Sequence, residues 1–162
     1  MMNFLTNSED WDCGPVLLVN LIIWAESSDT FSETLDAMRL RFIEQLETDS
    51  NGTYDDAMDR ELRELGKSHS LSVRRHNTIN HERLFRSMDA GAAVVLAHID
   101  ISEDWHYSLW FRYDKKLYAV NLLAYSDVAC IPFKNDDVFP YLCYKKHKDE
   151  KPLAWVITRQ ST

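Results

Sequence analysis

Apolar and polar positions follow two regimes along this chain. Residues 16–25 read Val16-Leu17-Leu18-Val19-Asn20-Leu21-Ile22-Ile23-Trp24-Ala25, apolar on every side except at Asn20. Periodicity alone allows a buried strand or a buried helix here. Pro15 favours the helix, because proline is tolerated in a first helical turn, where its missing N–H forfeits no bond. Leu35, Met38, Phe42 and Leu46 then recur at helical spacing and predict an amphipathic helix over 32–48. The pattern Thr30-Phe31-Ser32-Glu33 would open it as a capping box. Asp49-Ser50-Asn51-Gly52 predicts a turn. Ala57, Met58, Leu62 and Leu65 form the stripe of a third helix starting near 53–56, with Gly66 where a C-terminal cap belongs. Leu84, Phe85 and Met88 predict a short helix over 80–89, ended by Gly91.

After residue 91 the period changes. Residues 92–97 predict a buried strand. Residues 107–113 and 116–122 predict two more, joined by a polar turn at 113–116, and 153–157 a last one. Helices first and strands second imply an α+β class with an antiparallel sheet. The 162 residues, 19.0 kDa, make one domain over 1–162 with room for a real core. Four Gly and four Pro leave no long flexible linker. No repeat or low-complexity tract is visible.

Charge narrows the function classes. The formal net charge is −8, which repels phosphate backbones and argues against nucleic acid as a partner. The basic run Lys145-Lys146-His147-Lys148 is followed by Asp149 and Glu150 and reads as a solvated loop. The apolar run 16–25 is too short to span a bilayer, and the N-terminus has no basic stretch before an apolar one. The expectation is therefore no membrane insertion and a cytoplasmic setting, with secretion as an effector by a signal-less route also compatible. The three cysteines, Cys13, Cys130 and Cys143, include no C-x-x-C pair and read as reduced thiols.

Cys13 carries the chemistry. At a helix N-terminus, unpaired N–H groups and a partial positive charge favour the thiolate. Gly14 would let a substrate backbone approach, and the Cys13 N–H would face a developing oxyanion. A thiol nucleophile needs a base, usually histidine. Of six histidines, His106 opens the strand His106-Tyr107-Ser108-Leu109-Trp110, and the next strand ends in Val120-Asn121-Leu122. Hairpin pairing would set Asn121 beside His106 to orient the imidazole. His98 reads as a hydrogen-bonded core or edge histidine, and His69, His76 and His81 as solvated. His81-Glu82-Arg83 is no zinc helix, since residue 85 is Phe; no metal site and no cofactor are expected. Trp11 and Trp105 flank the two reactive residues, and fit either a substrate groove or seals on the ends of helix and strand. The acidic cluster Asp100, Glu103 and Asp104 reads as a solvated loop that would also favour a basic substrate.

Two elements carry a family resemblance. Asn7-Ser8-Glu9-Asp10-Trp11-Asp12-Cys13-Gly14-Pro15 resembles the opening motif of C39 and C39-like peptidases of the papain-like superfamily. In that motif a Gln precedes a Cys-Gly pair by six residues, often with an acidic residue before the Cys. His106-Tyr107-Ser108-Leu109-Trp110 with Asn121 resembles the second half, a His opening one strand and an Asp or Asn ending the next. Residues 79–96 resemble the helix and strand that precede the His, and the likeness spans 7–123. It implies a papain-like cysteine protease fold and a Cys13-His106-Asn121 triad, with Asn7 and the Cys13 N–H as oxyanion donors. Trp11, Gly14 and Trp105 would contact a peptide or protein substrate. Asn7 stands where the family has Gln and is one methylene shorter. Asn121 stands where C39 enzymes have Asp. The same nucleophile chemistry also serves glutamine deamidases and acyltransferases. The departure at Asn7 keeps open a catalytically inactive domain used for protein binding.

Overall fold

A computed structural model describes residues 2–99, 105–122, 130–133 and 153–161. The element order is α1 (Cys13–Glu26), α2 (Leu35–Gln45), α3 (Asp55–Ser68), β1 (Leu71–His76), α4 (His81–Asp89), β2 (Ala93–Ile99), β3 (Trp105–Tyr113), β4 (Lys116–Val120), β5 (Cys130–Phe133) and β6 (Leu153–Arg159). The six strands form one antiparallel sheet ordered β1-β6-β2-β3-β4-β5.

The sheet is covered on both faces, and strand alternation explains how. Val95, Ala97, Tyr107, Leu109, Phe111, Trp155 and Ile157 join the main core with α1, α2 and α3. Their neighbours Val94, Leu96, Trp110, Ala154 and Val156 join a second core under α4, with Leu84 and Met88. Successive side chains on a strand point to opposite faces, so β2, β3, β4 and β6 feed both cores. Helix α1 is buried from Cys13 to Trp24 because it lies between α2 and the sheet, which is why its sequence is apolar all round. Its one buried amide, Asn20, accepts from Leu5 N (2.7 Å) and donates to Leu5 O (3.0 Å), pinning the N-terminal segment to the helix. The β3–β4 turn has Asp114 and Lys115 at φ 48° and 63°, the paired left-handed residues of a type I′ hairpin.

Several local expectations change. The second helix runs Leu35–Gln45, and its N-cap is Thr34, whose Oγ1 accepts from Ala37 N at 3.1 Å. Thr30 bonds locally to Ser28 instead, and Glu33 pairs with Arg41 at 2.6 Å. Gly66 lies inside α3 rather than capping it; a Cβ there would meet Leu71 O at 2.8 Å, so it serves the close approach to β1. Residues 71–76 form a strand, so β1 precedes α4 and His76 is half-buried at the sheet edge rather than solvated. His69 bonds Glu26 at 2.7 Å. Strand β5 was also unexpected, and its Pro132 suits an edge position, where no ladder N–H is needed. Cys143, the 145–150 loop, the acidic cluster at 100–104 and the side chain of Trp105 lie outside the described residues.

Candidate active site

Asp12 is the residue before α1, and its side chain does not cap the helix. The fully buried carboxylate instead accepts from Ser8 N (3.1 Å) and pairs with Arg39 of α2 (3.0 Å). Asp12 and Asn20 together thus hold the 5–12 segment over the start of α1. The first-turn N–H groups of Gly14 and Cys13 lie near the sulfur and favour its thiolate.

A third N–H comes from the sheet. The backbone N–H of Tyr107 bonds Cys13 Sγ. That N–H belongs to the peptide joining His106 to Tyr107, so the thiol meets β3 directly beside His106. His106 is buried, and its Nε2 contacts the backbone carbonyl of Asn121 at 2.5 Å. The hairpin therefore does bring His106 and Asn121 together, but through the main chain of Asn121. The left-handed conformation of Asn121 (φ 56°) turns that carbonyl toward the ring. Its side chain points elsewhere and donates from Nδ2 to Asn7 Oδ1 at 2.5 Å. Asn7 Nδ2 is buried and has no hydrogen-bond partner among the described residues. His106, Asn121 and Asn7 thus form one connected set, which Cys13 approaches through the backbone of Tyr107, the neighbour of His106.

Electrostatics correct one expectation. Burial pushes the Cys13 thiol up to about 11, and the Asp12 carboxylate adds to this. The three N–H groups pull the other way without overcoming the loss of water. The resting group is a neutral thiol, not the thiolate that a helix end alone would favour.

A cleft of about 180 Å³ opens beside the sulfur, lined by Asp10, Trp11, Cys13, residues 50–53 and Tyr107. Trp11 therefore lines a groove. Gly14 is not among the lining residues: a Cβ there would meet the side chain of Thr53, so the close approach it permits is that of Thr53. Trp105 opens β3 at the strand end next to His106. Sequence reasoning missed Tyr107, which ties the site together. Its N–H reaches the sulfur while its hydroxyl donates to Thr53 O (3.0 Å) and Asp55 Oδ1 (2.5 Å). Nothing in a strand tyrosine announces such a role. His98 is a core histidine as expected, bonded to Ser108 Oγ at 2.8 Å. No group of metal-binding residues occurs among those described.

The architecture around this set has known counterparts. The peptidase domain of Streptococcus ComA, a bi-functional ABC transporter involved in quorum sensing, superposes with a TM-score of 0.64 at 16% identity. The match covers 96% of this chain and 97% of that one. The fold is that of C39 peptidase domains. A Bacillus anthracis protein described as a C39-like peptidase gives a TM-score of 0.58 at 12% identity, over 99% of this chain and 96% of the other. No family model and no curated protein matches the sequence. Among the described residues, no helix is long and apolar enough to cross a membrane.

Proposed function

We propose that this C39-type domain is a cysteine hydrolase that cleaves an amide bond, with Cys13 as nucleophile and His106 as base. The observation that carries the reading is the Tyr107 N–H on Cys13 Sγ, which joins the thiol to the strand residue next to His106. With Nε2 engaged by Asn121 O, proton traffic with the thiol runs through Nδ1 of His106. Because the resting thiol is neutral, His106 acts as a general base during attack rather than as half of a preformed ion pair. The S–H proton passes to His106 as sulfur bonds the carbonyl carbon. The oxyanion is met by the Cys13 N–H and Asn7 Nδ2. The C–N bond then breaks, His106 protonates the leaving amine, and a thioester remains. Water, deprotonated by His106, releases the acid and restores the thiol. A peptide bond is the first candidate, since both structural counterparts are peptidase domains. A side-chain amide (a deamidase) or an amine acceptor (an acyltransferase) would use the same steps. No cofactor enters them, and the expected setting is cytoplasmic.

A second reading is favoured by the raised thiol and by the tie between Asn7 and Asn121: an inactive domain that binds a partner protein. Acylation by p-nitrophenyl acetate separates the two, read by intact mass and peptide mapping. The hydrolase acetylates at Cys13 and turns over, and His106→Ala slows it about 10²- to 10⁴-fold. Acetylation at Cys13 that is indifferent to His106→Ala would support the binding module instead.

A further inference from the structure

Asn121 meets His106 without using its side chain. Its carbonyl lies 2.5 Å from His106 Nε2, and the left-handed backbone at φ 56° turns that carbonyl to the ring. The side-chain amide is left over in a buried residue, where it must find a partner of its own. It donates from Nδ2 to Asn7 Oδ1 at 2.5 Å. The main chain around Asn7 is already placed by other bonds. Leu5 is tied both ways to Asn20, and Ser8 N donates to Asp12. Those bonds leave open which end of the Asn7 amide faces which way. A side-chain amide has an acceptor at one end and two donors at the other. With Oδ1 taken by Asn121, the donor end of Asn7 is the one left over. Its Nδ2 is buried with no partner among the described residues. A buried N–H without an acceptor is costly to keep and calls for a reason.

We infer that Asn121 is the positioning residue for the oxyanion donor: its main chain holds the base, and its side-chain amide fixes Asn7 with Oδ1 engaged and Nδ2 available. The inference rests on the hydrolase reading above and deepens it, because one residue then aligns both His106 and Asn7. It also gives a reason for an amide at 121. A carboxylate has no N–H to donate. An aspartate in this place would accept from Asn7 Nδ2, turn the amide over and present Oδ1 where a donor is needed. The Asp that C39 enzymes carry at this point should therefore harm this chain.

Two reactions of Cys13 test this. Acetylation by p-nitrophenyl acetate passes through an oxyanion, whereas alkylation by iodoacetamide does not, and both draw on His106. The ratio of the two rates at Cys13, read by intact mass, isolates the oxyanion donor from the base. Asn121→Gly deletes the amide and is at ease with the left-handed backbone. Asn121→Asp keeps the shape and reverses the hydrogen-bonding sense. Each should lower the acetylation-to-alkylation ratio about 10- to 100-fold, toward the loss of one oxyanion donor. In an Asn7→Ala background, Asn121→Gly should lower the ratio no further, because the two residues act through one group. A ratio that Asn121→Asp leaves unchanged, as a carboxylate orienting His106 would, overturns the inference. A further fall on adding Asn121→Gly to Asn7→Ala overturns it too. Both of those outcomes leave Cys13 and His106 in their roles. Acetylation of Cys13 that is indifferent to His106→Ala would overturn the hydrolase reading, and the inference with it.

Discussion

At the scale of single residues, the site sets burial against hydrogen bonding. The N–H groups of Tyr107, Gly14 and Cys13 favour the Cys13 thiolate, yet desolvation wins and the thiol is held up to about 11. This has a consequence for stability. In the unfolded chain the thiol loses its proton near 9.0, while in the folded chain it keeps it until about 11. The native state thus binds the extra proton between those values, and stability present below pH 9 is lost as pH rises to 11. The loss attributable to Cys13 should be about 3 kcal/mol at most, since each pKa unit is worth about 1.4 kcal/mol. Urea melts of wild type and Cys13→Ala across that window should converge as pH rises; parallel curves would mean that the thiol is not desolvated.

Asn7 permits a sharper residue-level prediction. Its Nδ2 is buried without a partner among the described residues, as suits a donor awaiting an oxyanion. Acylation builds an oxyanion and alkylation does not. Asn7→Ala should therefore slow acetylation of Cys13 by p-nitrophenyl acetate by about 10²-fold or more. Labelling by iodoacetamide should be nearly unchanged. Equal slowing of both reactions would assign Asn7 a purely structural role through Asn121.

At the scale of elements, the contact between α1 and the 49–53 turn decides the shape of the site. A Cβ on Gly14 would stand 2.2 Å from Thr53 Oγ1 and 2.7 Å from its Cβ, inside a pair of hydrogen-bonded threonines. Gly14→Ala gains up to about 1 kcal/mol of helix propensity. Overpacking of this kind typically costs about 1–3 kcal/mol, and here it should prevail. A lower urea midpoint with an unchanged slope is the expected result; a higher midpoint would show that the turn gives way freely. The expectations that failed at this scale share a cause. The capping pattern at 30–33 is chemically sound, but Thr34 has the extended backbone and the reach to Ala37 N, so it takes the cap. Gly66 looked like a helix stop because glycine usually marks one, whereas here it answers to the carbonyl of Leu71. Such competition between local signals is resolved by neighbours that are distant in sequence.

At the scale of the whole molecule, the sheet order closes the fold from its last strand. β6 lies between β1 and β2, pairing Val73 with Ile157 on one side and Val95 with Trp155 on the other. Trp155 also donates from Nε1 to Asp59 Oδ1 at 2.8 Å, fastening α3 to the sheet. Without β6, two strands would expose unpaired edges and both cores would open. A chain ending before residue 153 should show no cooperative urea transition and no fixed near-UV circular dichroism. A cooperative transition in that truncated chain would mean that β1 and α3 are dispensable to the core around Cys13.

The apolar run 16–25 determined a buried element, and Pro15 ahead of it tipped the reading to a helix, because a first helical turn loses no bond to the missing N–H. The spacing of apolar residues likewise determined α3, α4, β2, the β3–β4 hairpin and β6, and the Cys-Gly and His-Tyr motifs marked Cys13 and His106. The polar strand β1 escaped because its alternation is carried by Leu71 and Val73 alone, and pairing with β6, not its own composition, makes it a strand. Only the tertiary structure decided that Asn121 holds His106 by its carbonyl, that Tyr107 delivers an N–H to the sulfur, and that the thiol stays protonated. Sequence spacing sets which residues can be neighbours. Burial and the direction of individual main-chain groups are set by the packed whole, and the chemistry of Cys13 depends on both.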